Sequence, residues 1–471
     1  MRKMQVEGIE EKVLYPIGGG FDIPNASFRT GFKGETIVVG GLDNSFGVIG
    51  PGNSFKTALL YYIALTMLDR YGDHEKYVSH YDTEVNVTPS RINSFAARFK
   101  NLPKPLINPI KEQDEGIWQI TDKSKYYADE WIPKLREFID GRKKDDKRVY
   151  EAYCKKGMEV KILTPTTGLI DSLSMFEPSS TIDMLEKQKK DDGKANTYYM
   201  KQGGFKDKFV SEVPVLSARS NMKILMSAHV GKKIDMDANK YGPKETKQLG
   251  FMKEGEYIKG VSPKFMYLMS MVYYSHTATV LKNRETKLPE YPLEGEESNQ
   301  ETDLMKVRVQ PLRSKAGGSG YFQTLIYSQK EGYLPALSAF HDMKENDRFG
   351  LIGNNVNYRV VFMPDVALSR KKVRPTINKN EKLCRALEIL QELFQLRVFH
   401  PHFVQLGLWM EPEALYNAII DKGYDWDMIL KTTAFAPIDS YNPDKPHHLS
   451  IVDILNMASG DYRPYWLPID V

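Results

Sequence analysis

Residues 46–57 read FGVIGPGNSFKT. An apolar run, a glycine-containing turn and then Lys56-Thr57 are the residue types that cradle a nucleotide's phosphates. The candidate loop is Gly50, Pro51, Gly52, Asn53, Ser54, Phe55, Lys56 and Thr57. Gly50 and Gly52 let the backbone curl so that its N–H groups point at phosphate oxygens. Lys56 would reach the β- and γ-phosphates, and the Thr57 hydroxyl would hold Mg²⁺. The helix that follows adds the positive end of its dipole. The usual pattern, G-x-x-x-x-G-K-[ST], has glycine where Phe55 stands. The alternative reading is a glycine-rich turn that merely starts a helix.

Three more residues have chemistry to offer. Glu84 ends the stretch HYDTE (80–84), at the C-terminal end of an expected strand, where ligands bind in parallel sheets. It could align and deprotonate the water that attacks a γ-phosphate. Asp171, in GLIDSLSMF (168–176), is expected at the end of a strand next to the first, holding the Mg²⁺ water shell. His229, in KILMSAHVGKK (223–233), is expected at the end of another strand, within reach of the γ-phosphate. The alternatives are a solvated loop acid, a chance hydrophobic-Asp pair and a structural histidine.

Strands and helices must alternate to bring these ends together. FGVIG reads as a strand and TALLYYIALTMLDRY (57–71) as a strong helix. KYVSHYDTE, VKILTPTTGLIDSLSMF and MKILMSAHV supply further strands, and FMYLMSMVYY (265–274), MKVRVQPLRSK and YFQTLIYSQKEGYL continue the sheet. The expected class is α/β with a mainly parallel central sheet. Residues 1–35 form an N-terminal segment, 36–375 the core and 376–471 a small, mostly helical C-terminal domain. Residues 100–158 are expected as a charged helical insertion, 381–399 as an amphipathic helix and 411–430 as another.

The 471 residues suffice for a sizeable core without disulfides, and two distant cysteines, Cys154 and Cys384, exclude a disulfide framework or a cysteine metal site. A net charge of +4 implies that any nucleic-acid site is local. The N-terminus lacks a signal-peptide pattern, and FMYLMSMVYY is too short to span a bilayer. A soluble, cytoplasmic protein with no membrane partner is expected.

In this order, GPGNSFKT, HYDTEVNVTPSRINSF, GLIDSLSMF and MKILMSAHV resemble the RecA-type strand-exchange recombinases, and most of all the phage UvsX branch. That branch also tends to carry Ser-Phe-Lys where most loops have Gly-Lys. The resemblance covers about 36–335. It implies a RecA-like P-loop ATPase core with ATP and Mg²⁺ as cofactors. Glu84 would be the catalytic glutamate, Asp171 the Walker B acid and His229 the γ-phosphate sensor. Arg313 and Lys315 would be the basic pair that reaches a neighbour's ATP, and Arg91 falls where relatives contact adenine.

The resemblance also implies two DNA loops, here about 177–215 and 231–262. Candidate DNA contacts are Lys187, Lys189, Lys190, Lys201 and Lys206 in the first, and Lys232, Lys233, Lys247 and Phe251 in the second. Lysines would meet phosphates and Phe251 would stack on or wedge between bases. The implied function is ATP-dependent strand exchange on single- and double-stranded DNA by a homo-oligomeric filament, with DNA-dependent ATPase activity. Phage single-strand-binding or mediator proteins would be partners, in a phage-infected bacterial cell. Three alternatives stay open. One is a RecA-fold ring helicase or motor. The second is a nucleotide-gated DNA-binding scaffold with little turnover. The third is a RecA-fold regulatory ATPase that acts on proteins.

Overall fold

A computed structural model describes residues 14–31, 34–72, 76–108, 116–142, 148–150, 160–180, 195–232, 252–253, 255–261, 264–314, 320–354, 356–435 and 446–468. Strands β1 (Ser27–Thr30) and β2 (Thr36–Val39) form an antiparallel hairpin that crosses residue 35. Then come β3 (Ser45–Gly50), α1 (Lys56–Tyr71), β4 (Val78–Asp82), α2 (Pro89–Ala96), β5 (Trp118–Asp122) and α3 (Ala128–Arg142). Short β6 (Arg148–Tyr150) and β7 (Val160–Ile162) pair with each other. They precede β8 (Thr166–Asp171), α4 (Ala195–Ser220), β9 (Met222–Lys232) and β10 (Glu256–Ile258). Next are β11 (Met271–Ser275), β12 (Thr279–Val280), β13 (Leu304–Ser314), β14 (Gln323–Ser328) and β15 (Gly332–Tyr333).

The central sheet runs β15-β14-β13-β11-β3-β9-β8-β4-β5. From β11 to β5 every pairing is parallel, whereas β13, β14 and β15 are added antiparallel. Strands covered on both faces read as continuous apolar runs rather than alternating ones. In β3, Phe46 and Val48 enter the core under α1, and Ile49 enters the core under α3 and α4. The sheet is therefore a mixed one, mostly parallel, with helices on both sides.

Four expectations need correction. Residues 100–158 are not only helical: β5 lies among them and extends the central sheet beside β4. The five-residue alternation of WQITD is obscured by the charged helix after it. Asp171 does not sit on a strand next to the first, because β9 lies between β3 and β8. FMYLMSMVYY is a short helix, Lys264–Leu268, followed by β11. Residues 411–430 form two helices, Pro412–Asp421 and Trp426–Ile429, broken at Gly423, whose φ of +80° suits glycine.

The C-terminal helices share one apolar core with Leu304 of β13, Ile326 of β14, and Leu337 and Phe340 of the helix Pro335–Glu345, and the helix Val373–Lys379 straddles residue 376. Tyr15, Ile17 and Phe21 are fully buried beneath α1 and the sheet. Among the described residues no helix is long and apolar enough to cross a membrane.

Candidate functional site

Register decides what meets at the C-terminal ends of the parallel strands. Gly50 pairs with His229, and Asp82 pairs with Asp171. The loop, the sensor candidate and both motif acids therefore lie along one edge of the sheet.

The loop is held from within. Ser54 Oγ donates to Pro51 O at 2.8 Å, and Lys56 Nζ donates to the same carbonyl at 2.6 Å. Ser275 Oγ, at the end of β11, donates to Ser54 O at 2.5 Å. A Cβ on Gly50 would lie 2.2 Å from Ser275 O, so only glycine fits there. A Cβ on Gly52 would meet nothing within 4 Å. The chain leaves open space at Gly52, on the turn whose N–H groups would face a phosphate. No side chain caps the start of α1, so its first N–H groups are not taken by a capping residue. Lys56 is buried, which lowers its ammonium pKa, while Asp171 and Glu84 pull it back up.

Phe55 takes φ +57° and ψ 26°, the left-handed region that favours glycine. Its ring stacks on Tyr327 of β14, with centroids 5.0 Å apart, and packs against the core under α1. The odd letter of the motif thus points its bulk into that core. A non-glycine residue in this region costs about 1–2 kcal/mol. The aromatic pair returns about 0.5–1.5 kcal/mol. Both figures bear on folding, to which burial of the ring adds; the ring points away from the turn and glycine keeps the backbone N–H, so Phe55→Gly is expected to leave nucleotide affinity unchanged within a few-fold, as read by titration with a fluorescent ATP analogue. Abolished binding would show that the ring itself contacts the ligand.

Thr57 Oγ1 donates to Asp171 Oδ2 at 2.5 Å, and Ser227 of β9 donates to Asp171 Oδ1. Two oxygens from Thr57 and Asp171 suit Mg²⁺, which keeps most of its waters when protein-bound. Among the described residues no group of three or more His, Cys, Asp or Glu could form a fuller metal cage.

Glu84 Oε1 lies 2.8 Å from His229 Nε2, and Glu84 Oε2 accepts from Asn86 Nδ2 at 3.2 Å. The His229 hydrogen bond holds the Glu84 carboxyl below the usual carboxylate range, against its partial burial. Glu84 is carried by a loop that Asp82 organises. Asp82 Oδ1 accepts from the N–H groups of Glu84 and Val85, and Oδ2 from those of Asn86 and Val87, at 2.9–3.0 Å. Thr83 and Ser172 latch the two motifs together. Thr83 N donates to Asp171 O at 2.9 Å, Thr83 Oγ1 to Ser172 O at 2.9 Å, and Ser172 N to Thr83 Oγ1 at 2.6 Å. Below them His80 is fully buried beside Tyr61 and Trp118, and burial lowers its pKa to about 4.

No family model matches the chain, and no curated protein matches it.

Of the other candidates, Arg91 is exposed on the first turn of α2, with its guanidinium 5.6 Å from the Phe95 ring centroid. Arg313 pairs with Val272, which pairs in turn with Gly47. That is three residues, or about 10 Å along the strands, from Gly50. Arg313 therefore lies toward the other end of the sheet from its own chain's loop. Lys201 is exposed on α4, and Lys232 is exposed at the end of β9. Lys206 is a correction: it has no exposed surface, and its Nζ donates to Ser174 O at 2.7 Å. It sits on the inner face of a helix rather than on a DNA loop, so it is not free to meet a phosphate. Lys187, Lys189, Lys190, Lys233, Lys247, Phe251 and Lys315 lie outside the described residues.

Sequence reasoning gives Asp82 and Thr83 no role beyond the HYDTE motif they share with Glu84, and it misses Ser172 and Ser227. Asp82 carries a local signal, because an Asp side chain commonly closes a turn on the N–H groups that follow it. Ser227 carries none, since its partner is 56 residues away.

Proposed function

We propose that the chain hydrolyses ATP at the 50–57 loop and couples this to DNA strand exchange, as a RecA-type recombinase of UvsX-like kind. One observation carries the reading. Lys56, the Thr57–Asp171 pair and the Glu84–His229 pair converge at the ends of β3, β8, β4 and β9. A mostly parallel sheet with these groups along one edge supports a RecA-like core.

In this reading Lys56 leaves the Pro51 carbonyl to meet the β- and γ-phosphates. Glu84 orients the attacking water and accepts its proton. His229, beside Gly50 in the sheet, touches the γ-phosphate and senses its loss. Thr57 and Asp171 would hold Mg²⁺, which when bound neutralises charge on the phosphate oxygens. Arg313 and Lys315 would serve the nucleotide of a second copy, which makes the active unit an oligomer. Lys201, Lys232 and the lysine-rich stretches around them would follow a DNA backbone, with a grip that weakens as salt rises. The proposed setting is the cytoplasm of a phage-infected bacterial cell, with single-strand-binding or mediator proteins alongside.

The test is ATP turnover with and without single-stranded DNA, paired with electron micrographs in a non-hydrolysable ATP analogue. DNA-stimulated turnover and helical filaments are expected. Closed rings would favour a motor, and filaments without turnover a scaffold. Bare DNA would remove the recombinase reading.

A further inference from the structure

Lys206 lies on α4 with its ammonium fully buried, yet its described bond is to a carbonyl, that of Ser174, rather than to a carboxylate. Burying an ammonium on so little compensation is costly. Burial pushes its pKa down to about 8; Glu177 pulls it back, and Lys123 opposes that. Glu177 is itself held by Lys123 and by Gln202 of α4, each at 2.5 Å. Packing alone would be met by an apolar side chain, so the position of this bond matters.

Ser174 faces the site. Its Oγ accepts from the backbone N–H of His229 at 2.9 Å, and His229 Nε2 lies 2.8 Å from Glu84 Oε1. A continuous chain of contacts therefore runs from α4 through Lys206, Ser174 and His229 to Glu84. The end of the 231–262 segment reaches the same place. Lys259 N donates to His229 O at 2.8 Å. The next residue, Gly260, has φ +61°, and a Cβ there would lie 3.2 Å from both Lys206 Nζ and Ser174 O. The flanks of both lysine-rich segments thus close on one hydrogen bond.

We propose that Lys206 is a positioning residue: through Ser174 it fixes the His229–Glu84 pair, and α4 thereby sets the rate of hydrolysis. This rests on the ATPase reading and deepens it, by naming the route from residues 177–215 and 231–262 to the base. In this reading a strand of DNA that shifts either flank acts on the Lys206–Ser174 bond, and through it on the backbone of His229.

Lys206→Met keeps the aliphatic stem and removes the ammonium. It is expected to lower kcat roughly 10- to 100-fold, the scale of a misplaced catalytic group. KM for ATP should stay unchanged, and stimulation by single-stranded DNA should be lost. Ser174→Ala should do the same, and the double variant should be no worse than either alone, because both break one chain. Hydrogen exchange supplies a readout that needs no turnover. Exchange should quicken in peptides covering 171–177 and 227–230 while the rest of β9 keeps its protection. Additive losses in the double variant, or unchanged exchange at 227–230, would overturn the proposal. If the wild type hydrolyses no ATP, the ATPase reading fails. Exchange then still decides whether Lys206 holds Ser174 and His229.

Discussion

If the chain hydrolyses ATP as proposed, replacing Glu84 by Gln is expected to lower kcat at least about 100-fold, the lower range for losing a general base. ATP binding is expected to be retained, because the amide keeps the shape of the carboxylate and Lys56 is untouched. The argument is geometric. Glu84 rides on a loop whose four N–H groups are gathered by Asp82, and its Oε1 is already aimed by His229. Glutamine fits that cradle but cannot take a proton from water. DNA-stimulated turnover at the wild-type level in this variant would remove Glu84 from the mechanism. The pH profile adds a sign. A base works when deprotonated, and the Glu84 carboxyl is held below its ordinary range chiefly by the His229 bond. The acid limb of kcat/KM therefore falls below the ordinary glutamate value of about 4.3. In His229→Gln the limb moves up toward that value. An unmoved limb would show that Glu84 does not set it.

The largest loss of stability is expected from Arg374→Met. Arg374 is 1% exposed, on the helix Val373–Lys379. Its guanidinium donates to Asp303 Oδ1 at 2.8 Å and Oδ2 at 3.0 Å, and also to Glu331. Asp303 precedes β13, and Glu331 lies between β14 and β15, so one cation ties the helix to the antiparallel side of the sheet. The Asp303 carboxyl sits below its usual range although its burial works against this; Arg374 and Ser328 hold it there. Removing the cation leaves two partly buried carboxylates facing each other, which costs about 3–5 kcal/mol. Denaturant midpoints and thermal melts read this directly. The triple change Arg374→Met, Asp303→Asn and Glu331→Gln should recover most of the loss, since no unpaired charge is left. A single variant as stable as the wild type would show that the cluster is held by solvent instead.

Some of this architecture is legible in the amino-acid sequence and some is not, and the difference is physical. The loop, Glu84, Asp171 and His229 are legible because each ends an apolar run, and in a parallel sheet such ends share one edge. Strand order is not legible. Nothing local in MKILMSAHV says that β9 lies between β3 and β8, yet this puts Ser227 against Asp171 and His229 against Gly50. The burial of Lys206 is hidden because lysine-rich composition says nothing about which face of a helix a given lysine occupies. The helix break at Gly423 is hidden because the apolar spacing continues across it. Phe55 needs a partner from β14, remote in the chain, before its ring has anywhere to go.

The latch between Thr83 and Ser172 also bears on timing. Backbone and hydroxyl bonds join the two motifs, and Asp82 pins the main chain after Glu84. With the main chain fixed, the freedom left to the base lies in its own side-chain torsions. Rotamer changes of exposed side chains take picoseconds to nanoseconds, whereas segment and domain rearrangements take microseconds or longer. On that scale the Glu84 side chain re-aims faster than segments or domains rearrange. In the proposed mechanism the aim of Glu84 therefore follows any movement of the larger pieces around it.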